Sequence, residues 1–148
     1  MSKFDSIREE IKRLYEDNIR LNNWISTQEQ SNDSQVGEIC KDFLQVLESF
    51  EWAEATIHER GLDQSRISTS AIARMLTAKN KLLEVLEYYG VKKVSFKDNI
   101  YDPTVAKVVG TVANSEKEDG VVDHIKLDGF YRKDKLLRMA EVVVVKNN

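Results

Sequence analysis

The chain has 148 residues, and its 22 Lys and Arg against 25 Asp and Glu give a formal net charge of −3. This mildly acidic balance without a basic block argues against nucleic-acid binding, because contacts to phosphates supply most of that affinity. There is no run of about 18 apolar residues and the N-terminus is charged, so we expect neither a membrane span nor a secretory signal. The single cysteine, Cys40, excludes a disulfide within the chain and favours a reducing compartment, the cytoplasm.

The first predicted helix covers about residues 3–30 and repeats apolar residues at alternating spacings of three and four. β-Branched residues at heptad position a with leucine at d favour two parallel strands, and a single Asn at a fixes their register. We therefore expect residues 1–33 to form a parallel coiled coil between two copies of the chain. The alternative is an amphipathic helix packed on its own domain. The a and d positions are Phe4, Ile7, Ile11, Leu14, Asn18, Leu21 and Ile25.

A second helix is predicted over about residues 36–60. The polar stretch 31–34 is expected to break or kink the chain before it, which leaves the first helix at most about 30 residues. Gly61 then ends the second helix. One face of this helix is apolar and consists of Ile39, Phe43, Val46, Leu47, Phe50, Ala53 and Ile57.

A third helix is predicted to end at Gly90, and its start can be capped by Ser68, Thr69 or Ser70. Two antiparallel helices of this length cannot close a core alone. We therefore expect residues 34–90 to form a hairpin that joins a second copy in a four-helix bundle. The predicted contacts across that bundle are Phe43, Leu47 and Phe50.

From residue 91 onward the pattern changes to strands, so the predicted fold class is α+β with a small β-domain over 91–148. The valine run 142–145 is hydrophobic on both faces, which places it in the middle of a sheet or at a contact. Turns are predicted at 114–120 and 131–134. The predicted strands are 91–96, 106–113, 121–127 and 136–146.

Residues for catalysis or metal binding are scarce. Zinc needs three or four convergent ligands, and His58, His124 and Cys40 lie on different predicted elements. Neither a glycine-rich phosphate loop nor a GxSxG elbow is present. We therefore expect no enzyme, no cofactor and no metal site.

Several stretches resemble the GrpE family, the nucleotide exchange factors of DnaK-type heat-shock chaperones. KDFLQVLESFE at 41–51 is similar to the family's first bundle helix, and LLEVLEYYGV at 82–91 is similar to the end of its second. The resemblance covers about residues 36–146, and the first helix only in kind and with a shorter length. The C-terminal residues at the family's signature spacing are Tyr101, Asp102, Pro103, Gly129, Phe130, Asp134, Leu137, Arg138, Ala140, Val142 and Val144.

This resemblance implies a homodimeric co-chaperone that binds the ATPase domain of a DnaK-type chaperone and promotes ADP release, without chemistry of its own. Within the β-domain we expect Gly129 to form a tight turn and Phe130 to pack beside it. The residues expected to contact the chaperone are Pro103, Lys126, Arg138 and Val142.

Two other functions fit the same pattern. One is a coiled-coil interaction module that presents the β-domain to an unrelated partner. The other is a holdase that binds unfolded chains through exposed apolar surface, for which the candidates are Trp24, Trp52 and the valine run 142–145.

The coiled coil can be tested at its polar a position. Replacing Asn18 with leucine is expected to shift the oligomeric state or the strand register, because it removes the amide that aligns the two helices. Analytical ultracentrifugation of both proteins measures the change. A monomeric sedimentation profile for both proteins would contradict the coiled coil.

Overall fold

The structure is a computed structural model that describes residues 2–147. Its described part is α+β, as predicted, and it divides into two compact units, Met1–Glu38 and Ile39–Asn148. Two long helices precede the strands, and a short 3₁₀ turn follows the first strand. The elements are α1 (Lys3–Arg60), α2 (Arg66–Tyr88), β1 (Val91–Lys93), β2 (Ala106–Val112), β3 (Val122–Leu127), β4 (Phe130–Arg132), β5 (Lys135–Arg138) and β6 (Ala140–Val145).

Helix α1 is continuous over 58 residues, so the predicted break at 31–34 and the predicted short first helix are both wrong. Ser, Asn and Asp each cost only about 0.5 kcal/mol in a helix relative to Ala, and each keeps its backbone donor. With no proline before Pro103, the polar stretch weakens the helix without ending it. Ser2 caps its start, since its hydroxyl accepts from the Asp5 amide at 3.2 Å and the Asp5 carboxylate accepts from the Ser2 amide at 3.0 Å.

Helix α2 starts slightly before the predicted caps. Ser65 is the N-cap residue, because its backbone is extended and its hydroxyl accepts from the Ser68 amide at 3.1 Å. The predicted caps at Ser68, Thr69 and Ser70 are therefore wrong, since these residues already lie in the first turns of the helix. After the helix, Gly90 adopts a φ of 84°, which glycine reaches without strain.

The strands form two three-stranded sheets, ordered β1-β4-β5 and β2-β6-β3. Strand β6 pairs parallel with β2 and antiparallel with β3, so the valine run 142–145 lies in the centre of its sheet, as predicted. The predicted strand 136–146 is two strands, because the chain passes at Met139 from one sheet to the other. The predicted turn 131–134 starts too early, since β4 extends to Arg132, and the strand predicted over 91–96 ends at Lys93.

The core of the second unit is formed within one chain. A cluster of buried residues lies on the β2-β6-β3 sheet, where Val142 is completely buried. Residues of the helices are buried as well, and Leu47 of α1 is completely buried. The prediction that Leu47 lies at a dimer interface is therefore wrong, because its own chain already covers it. The other buried apolar residues of this unit are Cys40, Leu44, Leu86, Val91, Val94, Ala106, Val122, Phe130, Leu137, Ala140 and Val145.

Gly129 lies where two backbone segments approach closely, and not in a tight turn as predicted. A Cβ atom at this position would lie 2.5 Å from the backbone nitrogen of Ala140. The glycine carbonyl also accepts a hydrogen bond from the Val94 amide at 2.8 Å. The Gly129 segment therefore lies between the backbones of Val94 and Ala140. Phe130 beside it is buried, as expected of a packed aromatic.

Replacing Gly129 with alanine is expected to lower the free energy of unfolding by about 1–3 kcal/mol, because the new methyl group overpacks rigid backbone. Gly110→Ala is the matched control, since a Cβ there would meet only a Val143 methyl group at an ordinary 3.7 Å. Denaturant-induced unfolding of both variants measures the difference. Equal midpoints for the two variants would contradict the close packing at Gly129.

Candidate functional site

Among the described residues, no group of three or more His, Cys, Asp or Glu side chains is placed to hold a metal ion. Within the same residues, no helix is long and apolar enough to cross a membrane. The thiol of Cys40 is buried, and this burial raises its pKa above the ordinary value. A buried, protonated thiol is a poor nucleophile. The remaining candidates for a functional site lie on the surface.

Pro103 and Lys126 are both exposed and lie near the same end of the β2-β6-β3 sheet. Pro103 precedes β2, which runs parallel to β6, and Lys126 stands at the end of antiparallel β3. The loop of Pro103 has a defined conformation. The Asp102 carboxylate accepts from the amide and hydroxyl of Thr104 at 2.8 and 2.6 Å, and these hydrogen bonds lower the pKa of Asp102.

Two exposed apolar side chains lie further along the same two outer strands, β2 and β3. Val108 on β2 and Ile125 on β3 both stand opposite Val142, so the three project from the same face of the sheet. Val108 is 42% exposed and Ile125 is 39% exposed. We call four exposed residues of this sheet and the loop before it the sheet rim, namely Pro103, Val108, Ile125 and Lys126.

Val142 does not join this surface. It is 0% exposed, so the prediction that it contacts a partner is wrong, because its neighbours on both sides and the residues packed over the sheet cover it. The apolar residues that do reach the surface are on the two outer strands. Sequence reasoning missed Val108 and Ile125 because their exposure depends on the strand order, and the valine run gave the stronger apolar signal.

Arg138 is turned toward the interior of its own chain, and its side chain is 16% exposed. Its Nε and Nη2 atoms donate to the Asp128 carbonyl at 2.9 and 2.7 Å. Toward α1, Nη1 donates to the Leu44 carbonyl at 3.3 Å, and Nη2 donates to a Glu51 carboxylate oxygen at 3.4 Å. Glu48 lies 3.8 Å from Nη1. The predicted contact of Arg138 with a chaperone is therefore replaced by an internal link between the β-domain and α1.

Two further features show how tightly this link is enclosed. The Arg138 guanidinium lies 5.2 Å from the centre of the Phe130 ring, a distance at which a cation and an aromatic face attract each other. Burial raises the pKa of Glu51, although the positive charge of Arg138 opposes the shift. Glu51 thus loses much of its hydration, and Arg138 supplies the charge that partly compensates for it.

The loop between β2 and β3 is fixed by a second polar cluster. The Asp123 carboxylate accepts from His124, Lys117 and Asn114 at 2.8, 2.9 and 3.1 Å, and these hydrogen bonds, that of His124 first, lower its pKa. Asn147 accepts from the Asn114 amide at 2.8 Å. These contacts hold the predicted turn 114–120 in place. The role of this cluster is therefore to stabilise the loop within the β-domain.

The first unit carries the residues predicted for the coiled coil. In a single chain its five apolar a and d residues from Ile7 to Ile25 are 42–62% exposed. The Asn18 side-chain oxygen accepts from the Asn22 amide group at 2.9 Å, so in one chain this polar position is satisfied locally. The heptad stripe is defined as Ile7, Ile11, Leu14, Asn18, Leu21 and Ile25.

In the second unit, the predicted bundle contacts separate into different environments. Phe43 is 45% exposed, Phe50 is half-buried, and Leu47 is buried by its own chain. Ile39 and Val46 are exposed on the same helix and, with Phe43 and Phe50, repeat at alternating spacings of four and three. This repeat places the four side chains on one face of α1, beside the buried face that carries Leu47.

Comparison with known proteins agrees with this fold. The GrpE family model matches residues 2–146. A Protein GrpE of Francisella tularensis is 30% identical over 112 residues, which cover 76% of this chain and 55% of the relative. A Protein GrpE of Thermoplasma acidophilum is 30% identical over 118 residues, which cover 80% of this chain and 59% of the relative. The chain thus spans little more than half the length of these curated relatives, and the family match over nearly all of its residues shows that it belongs to the GrpE family.

Proposed function

We propose that this chain is an adenyl-nucleotide exchange factor, a co-chaperone that binds the ATPase domain of a DnaK-type chaperone and promotes the release of ADP. The observation that carries the proposal is the family match over residues 2–146. The sheet rim supports it, because it offers two exposed apolar side chains and one exposed cation on the outer strands of one sheet. Since the single Cys40 needs no oxidising environment, we place the protein in the cytoplasm.

The mechanism is a shift in population. If the chain binds the open, nucleotide-free ATPase domain more tightly than the closed, ADP-bound one, ADP affinity falls by the same factor, and rebinding of nucleotide releases the chain. Each tenfold effect requires about 1.4 kcal/mol of differential binding. Covering the exposed parts of Val108 and Ile125 supplies about 1 kcal/mol each. The two together provide little more than one tenfold step, so a larger effect requires contacts from the helices as well.

We also propose that the protein acts as a parallel homodimer. The heptad stripe is too apolar and too exposed for a helix that stays alone in water, and a second copy covers it in the register that Asn18 selects. Phe43 and Phe50 extend the contact into a four-helix bundle within residues 34–90, with the β-domain at 91–148 attached to it. In this arrangement the helices align two copies, and each β-domain presents a sheet rim.

Exchange activity is tested directly with a fluorescent ADP analogue bound to the ATPase domain of a DnaK-type chaperone. The chain is expected to accelerate release in a saturable manner, and ATP is expected to dissociate the complex. A failure to accelerate release at saturating concentration by a chain that also fails to bind, with several such chaperones, would contradict the proposal. Suppression of client aggregation in the absence of any chaperone would instead favour a holdase, with Trp24 and Trp52 as candidate contacts.

The sheet rim is tested by reversing its charge. Lys126→Glu is expected to raise the concentration of the chain needed for half-maximal exchange by about threefold to tenfold, because a rim charge contributes to encounter and orientation. Lys146→Glu is the matched control, since this exposed lysine follows the other end of β6. Both measurements use the same nucleotide-release assay. Equal effects of the two reversals would show that the rim is not the contact.

A further inference from the structure

Arg138 connects the β-domain to α1 with an unusual density of bonds for one side chain. On the β-domain side, two of its nitrogens donate to the Asp128 carbonyl at 2.9 and 2.7 Å. On the helix side, its partners are the Leu44 carbonyl at 3.3 Å and the carboxylates of Glu48 and Glu51 at 3.8 and 3.4 Å. A planar guanidinium can serve both sides at once, because its donors point outward from one rigid plane.

The two carboxylates are placed to receive a shared cation. Glu48 and Glu51 are three positions apart on α1 and so lie on the same side of the helix. Glu51 is enclosed, with its side chain 17% exposed. Without Arg138, this desolvated carboxylate would face the negative charge of Asp128 with only the weaker influence of Lys79 to compensate for it. The β-domain carbonyl of Asp128 would lose two donors at the same time.

We propose that Arg138 is a positioning residue, which holds the β-domain on α1 in the orientation at which the sheet rim meets the chaperone. This inference rests on the proposed function. Arg138 itself touches neither the chaperone nor the nucleotide. It acts through the fixed angle between two parts of the same chain, and this separates it from Pro103 and Lys126, which are exposed for direct contact.

The expected size of the effect follows from the population of the competent orientation. An apparent dissociation constant equals the intrinsic one divided by the fraction of molecules in the binding-competent state. If loss of Arg138 leaves the β-domain in the competent orientation about one tenth of the time, apparent binding weakens about tenfold. The maximal exchange rate at saturation stays the same, because the rim and its contacts are intact.

The first experiment compares Arg138→Met with Lys79→Met. Methionine keeps an apolar stem against Phe130 and removes the donors. Lys79 is the matched control, because it is 19% exposed and pairs with Glu54 of α1 at 2.5 Å, but it belongs to α2 and not to the β-domain. Arg138→Met is expected to raise the half-saturating concentration in the ADP-release assay about tenfold at an unchanged maximal rate, whereas Lys79→Met leaves both within about twofold. Arg138→Lys keeps the charge but loses the planar set of donors. Its half-saturating concentration is expected to lie between those of the other two variants.

The second experiment measures the orientation itself. Spin labels are placed at Ser49 on α1 and Thr111 on β2, both exposed, in a chain that carries Cys40→Ser. Dilution with unlabelled chain restricts the signal to distances within one copy. Electron–electron double resonance is expected to give a narrow distance distribution when Arg138 is present. The distribution is expected to be broad in the R138M and R138K variants, in samples that circular dichroism shows to be folded.

The outcomes separate this inference from the proposed function. A narrow, unchanged distance distribution in folded R138M and R138K would overturn the positioning role, and so would an unchanged half-saturating concentration. A fall in the maximal rate in proportion to the unfolded fraction would show that Arg138 only stabilises the fold. Failure of the unaltered chain to accelerate ADP release would contradict the proposed function, while the distance measurement would still decide whether Arg138 fixes the β-domain.

Discussion

The hydrogen bonds of one guanidinium tie the sheets of this protein to its long helix. Each sheet has three short strands, and a domain of fewer than 60 residues buries so little apolar surface that it is only marginally stable alone. Arg138 is anchored in this small domain through Asp128 and reaches α1 at Leu44, Glu48 and Glu51. An ion pair of this kind gives modest net stability because the charges lose hydration, but it fixes an orientation. If the protein acts by binding a partner, as we propose, its function requires a fixed orientation.

A single chain also leaves two apolar surfaces exposed among the described residues. The heptad stripe exposes apolar residues along the first unit, and the sheet rim exposes Val108 and Ile125 at the outer strands. Neither surface contains a group suited to catalysis. Both are suited to association, the first with an identical helix and the second with a partner that offers apolar surface and negative charge beside Lys126. A function that depends on differential binding requires surfaces of this kind and no catalytic group.

Much of the architecture could be predicted from the sequence, and the errors have physical causes. Periodicity identified the helices and the valine run of β6, because both are repeated signals along the chain. The break at 31–34 was wrong because polar residues cost little in a helix that strong segments continue on both sides. Val142, Leu47 and Arg138 were assigned to interfaces but are enclosed by their own chain, since burial depends on strand order and long-range packing. The division between β5 and β6 at Met139 was missed for the same reason.

The proposed exchange function requires that this chain and nucleotide oppose each other's binding to the chaperone. The most direct test is the affinity of the chain for the ATPase domain of a DnaK-type chaperone, measured by titration calorimetry without nucleotide and with saturating ADP. Linkage requires that ADP weaken the binding of the chain by the same factor by which the chain weakens the binding of ADP. We expect equal factors, each well above one. An affinity that is the same with and without ADP would contradict it.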